Sequence, residues 1–263
     1  MAKFCSLFSS SSGNATFLGN GDRGILIDAG VSAKRIKEAL LSREIDPFKL
    51  DGIFVTHEHI DHIKGVRIIA SKYNIPVYAT EGTMSALEEN GILNGKFPFE
   101  VIGDKGIEAG ELLVTRFRTP HDSNESCGFS ITFPHGQRAV IATDIGMITD
   151  EVEKALCGAE LVMLESNHDV AMLQSGDYPY YLKRRILSDR GHLSNEACAR
   201  QAVKLIKKGT SRLFLGHLSR ENNFPDLAYQ TTFSALASEG MREGSDYILK
   251  VNPEENKDDI IRF

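Results

Sequence analysis

The sequence is poor in the features that would announce a secreted, membrane or fibrous protein. It has only four cysteines (Cys5, Cys127, Cys157 and Cys198), far apart and with no CxxC spacing. That excludes a disulfide scaffold and suits reduced cytosolic thiols in core or half-buried positions. No apolar run approaches the roughly 18 residues of a membrane span. The start, Met1 to Ser9, has one side-chain charge and a short, interrupted apolar stretch, without the core of a secretory signal. Ala2 excludes N-myristoylation. There is no internal repeat and no linker. Nor is there a basic surplus: the formal net charge is −6. This argues against a broadly basic nucleic-acid coat, though not against a local basic groove.

What is present is ordinary for a globular chain: 263 residues, 41% hydrophobic and 25% charged. That is enough to bury a core without staples. We read residues 1–263 as a single cytoplasmic domain with no membrane contact. Short apolar runs recur at Ile25–Ile27, Ile53–Val55, Ala139–Ala142, Leu161–Leu164 and Leu213–Leu215. They are bounded by turn signals and predict buried strands. Helical periodicity fills residues 32–44 behind a Ser32 N-cap, 62–73, and 195–208 behind Ser194 with Gly209 just past the end. Strand-rich stretches cover 1–28 and 97–143. The polar run Ser9–Asn14 predicts a turn, and the charged tail from Pro253 is expected to fray. The mixture predicts sheets covered by helices, in an α/β or α+β fold.

Chemistry collects where the strands end. Ile53–Val55 runs into Thr56-His57-Glu58-His59-Ile60-Asp61-His62, and Leu112–Arg118 into Thr119-Pro120-His121. Ala139–Ala142 runs into Thr143-Asp144, Leu161–Leu164 into Glu165, and Leu213–Leu215 into Gly216-His217. A strand end is a rigid mount, and loops leaving one sheet edge can converge. His57, His59, Asp61 and His62 place four ligand types within six residues. Neighbouring imidazoles repel when protonated. A divalent cation removes the conflict, because neutral imidazole and carboxylate are ligands of zinc, manganese or iron. The alternative is an exposed polar turn with chance histidines.

His57-x-His59-x-Asp61-His62, followed in order by His121, Asp144 and His217, resembles the metal motifs of the metallo-β-lactamase fold. Further segments are similar to the WalJ (YycJ) family of bacterial metallohydrolases: Ser10–Asn14, Ile27–Gly30, Leu164–Asp169, Gly191–Asn195 and Gly216–Arg220. The resemblance implies a four-layered αββα sandwich with metals at one edge of two sheets. It implies two divalent ions: one on His57, His59 and His121, the other on Asp61, His62 and His217, with Asp144 shared. Two such cations outweigh two carboxylates and a hydroxide, which suits an anionic phosphate. Asp144 is not the cysteine of antibiotic-degrading members, and His59 is not the glutamate of diiron flavoprotein relatives.

The implied activity is a phosphodiesterase on nucleic acid, with a metal-held hydroxide attacking phosphorus. The expected form is a 5′→3′ exonuclease on DNA, with RNA activity second. Asp61 orients the nucleophile, and His192 is the candidate proton donor, paired with Glu165. Ser12, Asn14, His168, Ser194, Arg184 and Arg185 are candidate substrate contacts. Each has a structural alternative: the serine turn is a tight hairpin, Gly191–Asn195 caps a helix, His168 is a structural histidine, and Lys183–Arg185 is a solvated helix face. His135 is expected in an exposed turn. Competing functions are a thioesterase or cyclic-phosphate esterase, and a non-catalytic module that keeps its metals for structure. Against the thioesterase, His192 and Glu165 would have no role.

Overall fold

The computed structural model describes residues 1–263. Its strands are β1 (Ala2–Phe8), β2 (Ala15–Asn20), β3 (Arg23–Ile27), β4 (Leu50–Phe54), β5 (Val77–Ala79), β6 (Phe99–Val101), β7 (Ile107–Ala109), β8 (Leu112–Arg118), β9 (Cys127–Thr132), β10 (Arg138–Ala142), β11 (Leu161–Glu165), β12 (Arg212–Gly216), β13 (Ile248–Val251) and β14 (Ile261–Arg262). The helices are α1 (Ala33–Leu41), α2 (Ile60–Ile63), α3 (Val66–Tyr73), α4 (Glu81–Glu89), α5 (Asp150–Leu156), α6 (Val170–Ser175), α7 (Tyr180–Ile186), α8 (Asn195–Lys207) and α9 (Pro225–Ser238). No helix is long and apolar enough to cross a membrane. The chain divides into two units: residues 1–116, 123–137 and 254–263, and residues 117–122 with 138–253.

The first unit carries a sheet in the order β14-β1-β2-β3-β4-β5-β6. β1 to β3 pair antiparallel, and β3 to β6 parallel. Leu26, Ile53 and Val77 of this sheet bury against Ile36 and Leu40 of α1, Val66 and Ile69 of α3, and Leu87 of α4. Each such side chain contributes about 1.5–3 kcal/mol on leaving water. The Ser32 cap forms as expected, its hydroxyl accepting from Arg35 N.

The predicted helix over 62–73 is instead two helices, α2 and α3, with a break at Lys64–Gly65. Gly65 gives its N–H to Ala29 O at 2.7 Å. A Cβ at Gly65 would lie 2.3 Å from Val31 O, so the chain turns where only glycine fits. The break leaves α2 as a short mount for Asp61 and His62.

The tail does not fray. Asn256 N donates to Leu7 O, β14 pairs with β1, and Phe263 N donates to Ala2 O. Arg43 holds the carbonyl oxygens of Asn256 and Asp258, and Arg35 pairs with Glu255. One tail carboxylate and two tail carbonyls are held by arginines of the α1 region, and the tail's one aromatic anchors the end.

In the second unit β10, β11, β12 and β13 are all parallel. Residues on both faces of β10, β11 and β12 are buried, as continuous apolar runs in a parallel sheet require. One face packs Val140, Val162, Leu164, Leu213 and Leu215 with Val152 of α5, Cys198 and Leu205 of α8, and Leu236 of α9. Ser194 caps α8 and Gly209 follows its end at φ +98°. Parallel register brings the C-terminal ends of β10, β11 and β12 to the same edge, with Ala142 beside Leu164 and Glu165 beside Gly216. His135 lies in the exposed turn after β9.

Phe263 is 8% exposed and meets Phe133 edge-on at 5.4 Å. Phe263→Ala is expected to cost about 3 kcal/mol, seen as a lower urea midpoint at unchanged m-value. An unaltered midpoint would mean the tail is not part of the folded core.

Candidate metal centre

In the first unit the backbone leaves β4 through Val55 and Thr56 and delivers His57, with His59 capping α2 and Asp61 and His62 within it. His57 and His62 are fully buried. The His57 ring lies 4.5 Å from that of His59 and 4.1 Å from that of His62, centroid to centroid.

Their orientation is set from behind by Asp28, which follows β3 at φ +62°. Its carboxylate accepts from Thr56 N at 2.8 Å, from Thr56 Oγ1 at 3.0 Å and from His62 Nδ1 at 2.8 Å. With its proton given to Asp28, the Thr56 hydroxyl accepts from His57 Nδ1 at 3.0 Å. Both rings are thereby engaged through Nδ1, the arrangement that supports metal binding through Nε2. Neither Asp28 nor Thr56 was singled out as a site residue from sequence. The signals for Asp28 are its place directly after the buried strand Ile25–Ile27 and within the family-similar segment Ile27–Gly30.

Asn14 stands beside this motif. Its side-chain amide donates to Ser10 O at 2.9 Å and lies 3.2 Å from His62 Nε2. Its backbone N–H donates to Asp61 O at 2.9 Å. Ser12 is exposed and shares a 2.9 Å hydrogen bond with Ser10. Gly30 makes the approach possible, since a Cβ there would overlap Asp61 O.

The second unit builds its own cluster at three parallel strand ends. Asp144 follows β10 and His217 follows β12, both in the left-handed region at φ +58° and +57°. Glu165 closes β11. Asp144 Oδ1 lies 3.6 Å from His121 Nε2 and 3.6 Å from His217 Nε2, so one carboxylate oxygen serves two imidazoles. Asp144, Glu165, His192 and His217 form one group whose ligand atoms lie within 4.8 Å of one another.

Glu165 organises this group. Its Oε1 accepts from Nδ1 of both His192 and His217, each at 2.8 Å. Its Oε2 accepts from Ile145 N at 2.8 Å and Leu193 N at 3.1 Å. Burial would raise this carboxyl, but His192 and then His217 outweigh burial and hold it below the usual carboxylate range. His192 and His217 therefore present Nε2 forward. His121 does the same, its Nδ1 donating to Gly191 O at 3.0 Å, while burial holds the ring below its ordinary pKa.

The other candidates separate. The Ser194 hydroxyl accepts from Ala197 N as the α8 cap. Arg185 pairs with Asp122, and Arg184 is exposed. His168 is 1% exposed, with neither ring nitrogen hydrogen-bonded.

These residues fit a divalent metal. The donor set is neutral imidazole and carboxylate, and four of the imidazoles have Nδ1 engaged from behind. A family model described as a beta-lactamase superfamily domain matches residues 23–218. Exodeoxyribonuclease YycJ of Bacillus anthracis is 37% identical over 244 residues, covering 92% of this chain and 91% of the relative. Exodeoxyribonuclease WalJ of Streptococcus pneumoniae serotype 2 is 37% identical over 250 residues, covering 93% and 92%. Two solved structures share the fold. The metallo-beta-lactamase fold protein YhfI of Bacillus subtilis has TM-score 0.71 and 14% identity, covering 97% of this chain and 98% of its own. The Zn²⁺-bound PqqB of Methylobacterium extorquens has TM-score 0.73 and 14% identity, covering 99% and 100%. Fold and donor set define a metal-dependent hydrolase of the metallo-β-lactamase type. The chain belongs to the beta-lactamase superfamily and, within it, to the WalJ (YycJ) family.

Burial pushes His168 down to about 4, against the opposing charge of Glu165. The unfolded chain then takes up a proton near the ordinary value of about 6.5 before the folded chain does. Stability is full above that value and falls as pH drops from about 6.5 towards 4, by up to about 3 kcal/mol. His168→Gln should shrink the difference in urea midpoint between pH 7 and pH 5. An equal difference in both proteins would rule His168 out as its source.

Proposed function

We propose that this protein is a cytoplasmic metal-dependent exonuclease that degrades DNA in the 5′→3′ direction, with RNA as a lesser substrate. The observation that carries the reading is the group around Glu165, in which a metal-binding half and a spare histidine share one buried carboxylate. A thioesterase has no use for His192. A phosphodiesterase does, because its leaving alkoxide must be protonated. The exodeoxyribonuclease names of the 37% identical relatives support the same choice.

In this reading His57, His59 and His121 would hold one divalent cation, and Asp61, His62 and His217 a second, with Asp144 shared. Zinc, manganese and iron all suit these donors. When bound, the cations supply Lewis-acid activation of water and neutralise charge on the phosphoryl oxygens. The side chains do the rest. Asp61 accepts a hydrogen bond from the attacking water and aims it. His192 keeps Nδ1–H on Glu165, and its protonated Nε2 gives a proton to the leaving oxygen. Asn14 and Ser12 offer an amide and a hydroxyl to phosphate oxygens. Arg184 and Arg185 complete the candidate substrate contacts, since Ser194 is engaged as the α8 cap and His168 is buried.

Two measurements test this. End-labelled DNA and RNA, with zinc, manganese and iron added back in turn, should yield mononucleotide-ladder products from the 5′ end. Rapid thioester hydrolysis with intact nucleic acid would sink the reading. His192→Ala should keep its metal content and lose about 10²–10⁴ in turnover, whereas Asp144→Asn should lose metal and activity together. Metal loss in His192→Ala would make that residue a ligand instead of an acid.

A further inference from the structure

The most exposed large apolar side chains of the protein stand next to each other on α7: Tyr180 is 76% exposed and Tyr181 is 74% exposed. Two consecutive rings this exposed make an apolar feature that calls for a partner. Around them the charge departs from that of the chain as a whole. Residues 177–190 carry Lys183, Arg184, Arg185 and Arg190 against Asp177 and Asp189. Arg184 has no acidic partner, and its guanidinium lies 5.9 Å from the Tyr180 ring centroid. Cations and open aromatic faces together fit one kind of partner better than any other. Phosphates satisfy the guanidinium, and nucleobases satisfy the rings. An apolar protein surface would leave Arg184 desolvated and unpaired.

The position of α7 adds a second, independent argument. Its last turn is hydrogen-bonded to the proposed acid: His192 N donates to Ile186 O at 3.0 Å. Gly191 packs so closely that a Cβ would lie 2.1 Å from Ile186 O. Arg190 donates to His121 O at 3.0 Å, and Arg185 pairs with Asp122. Ile186 is buried and Lys183 ties the helix to the carbonyls of Gln174 and Gly176. The platform is therefore rigidly mounted on the histidine segment. Ile186 is five positions on from Tyr181 along the helix, about 8 Å along the axis.

We infer that Tyr180 and Tyr181, with Arg184, form a base-stacking platform for unpaired nucleotides adjoining the cleaved phosphodiester at the strand end. This rests on the nuclease reading and adds the recognition element that the basic cluster alone does not provide. Stacking of this kind ignores base identity, so it would hold a frayed or single-stranded end without sequence preference.

The test couples removal of the rings to removal of the bases. Y180A/Y181A is compared with wild type and with Y180F/Y181F on end-labelled oligonucleotides. One set is normal and one carries abasic residues at its terminal three nucleotides. Melting temperature, metal content and sedimentation are measured alongside. Y180A/Y181A should raise KM for normal ends about tenfold or more, as loss of one or two stacked bases implies, with kcat within about twofold. Y180F/Y181F should behave as wild type. On abasic ends wild type and Y180A/Y181A should become equal. An unchanged KM in Y180A/Y181A overturns the platform while leaving the nuclease reading intact. A KM penalty of the same size on normal and abasic ends overturns stacking. Loss of a self-associated species in sedimentation, with DNA kinetics unaltered, makes the face a protein contact instead. Wild type that neither binds nor cuts any oligonucleotide removes the nuclease reading and the platform with it.

Discussion

The buried carboxylate of Glu165 is the interaction on which the histidine cluster of the second unit depends. It has no exposure to water and accepts four hydrogen bonds, two from imidazoles and two from backbone N–H groups. An ion in such a place is tolerable only when every lone pair is used. That requirement fixes the rings of His192 and His217, the turn at Ile145 after β10 and the loop at Leu193 before α8. One side chain at the end of the central strand β11 thereby aligns segments from both flanking strands.

Asp28 repeats the solution in the first unit. Its carboxylate orients His62 directly and His57 through the Thr56 hydroxyl. The two halves also share a backbone signature. Asp28, Asp144 and His217 are three of the five non-glycine residues at positive φ, and each follows a strand. The left-handed region costs an L-residue of the order of 1 kcal/mol or more. Here it turns the side chain back across the strand end, and the dense hydrogen bonding around it maintains the strain. The other two such residues, Glu44 and Asn74, follow helices, where an αL residue commonly ends a helix.

Much of this was legible in the residues. The five apolar runs are all strands, because a parallel sheet buried on both faces leaves an uninterrupted hydrophobic stretch. The ligand-type residues at their ends were visible because strand, turn and histidine lie within a few positions. The helix at 195–208 was marked at both ends by Ser194 and Gly209. The misses have a common cause. The break at Gly65 depends on Val31 O and Ala29 O, more than thirty residues away, and local periodicity carries no trace of them. The tail's charge predicts fraying, yet its Glu255 finds Arg35 on α1 and its carbonyls find Arg43 just beyond that helix.

The superfamily, the class of chemistry and the candidate ligands follow from the sequence alone, because metal ligation needs particular side chains at strand ends and both are local features. Tertiary structure alone decided what stands behind those ligands. Asp28 is 34 residues from His62, and Glu165 is 52 from His217. Only the fold could make Glu165 a shared partner of two histidines, or mount an exposed tyrosine pair on the segment that holds His192. Hydrogen bonds are short-ranged and directional, so the tautomer and aim of each imidazole are set by neighbours that chain folding brings into contact.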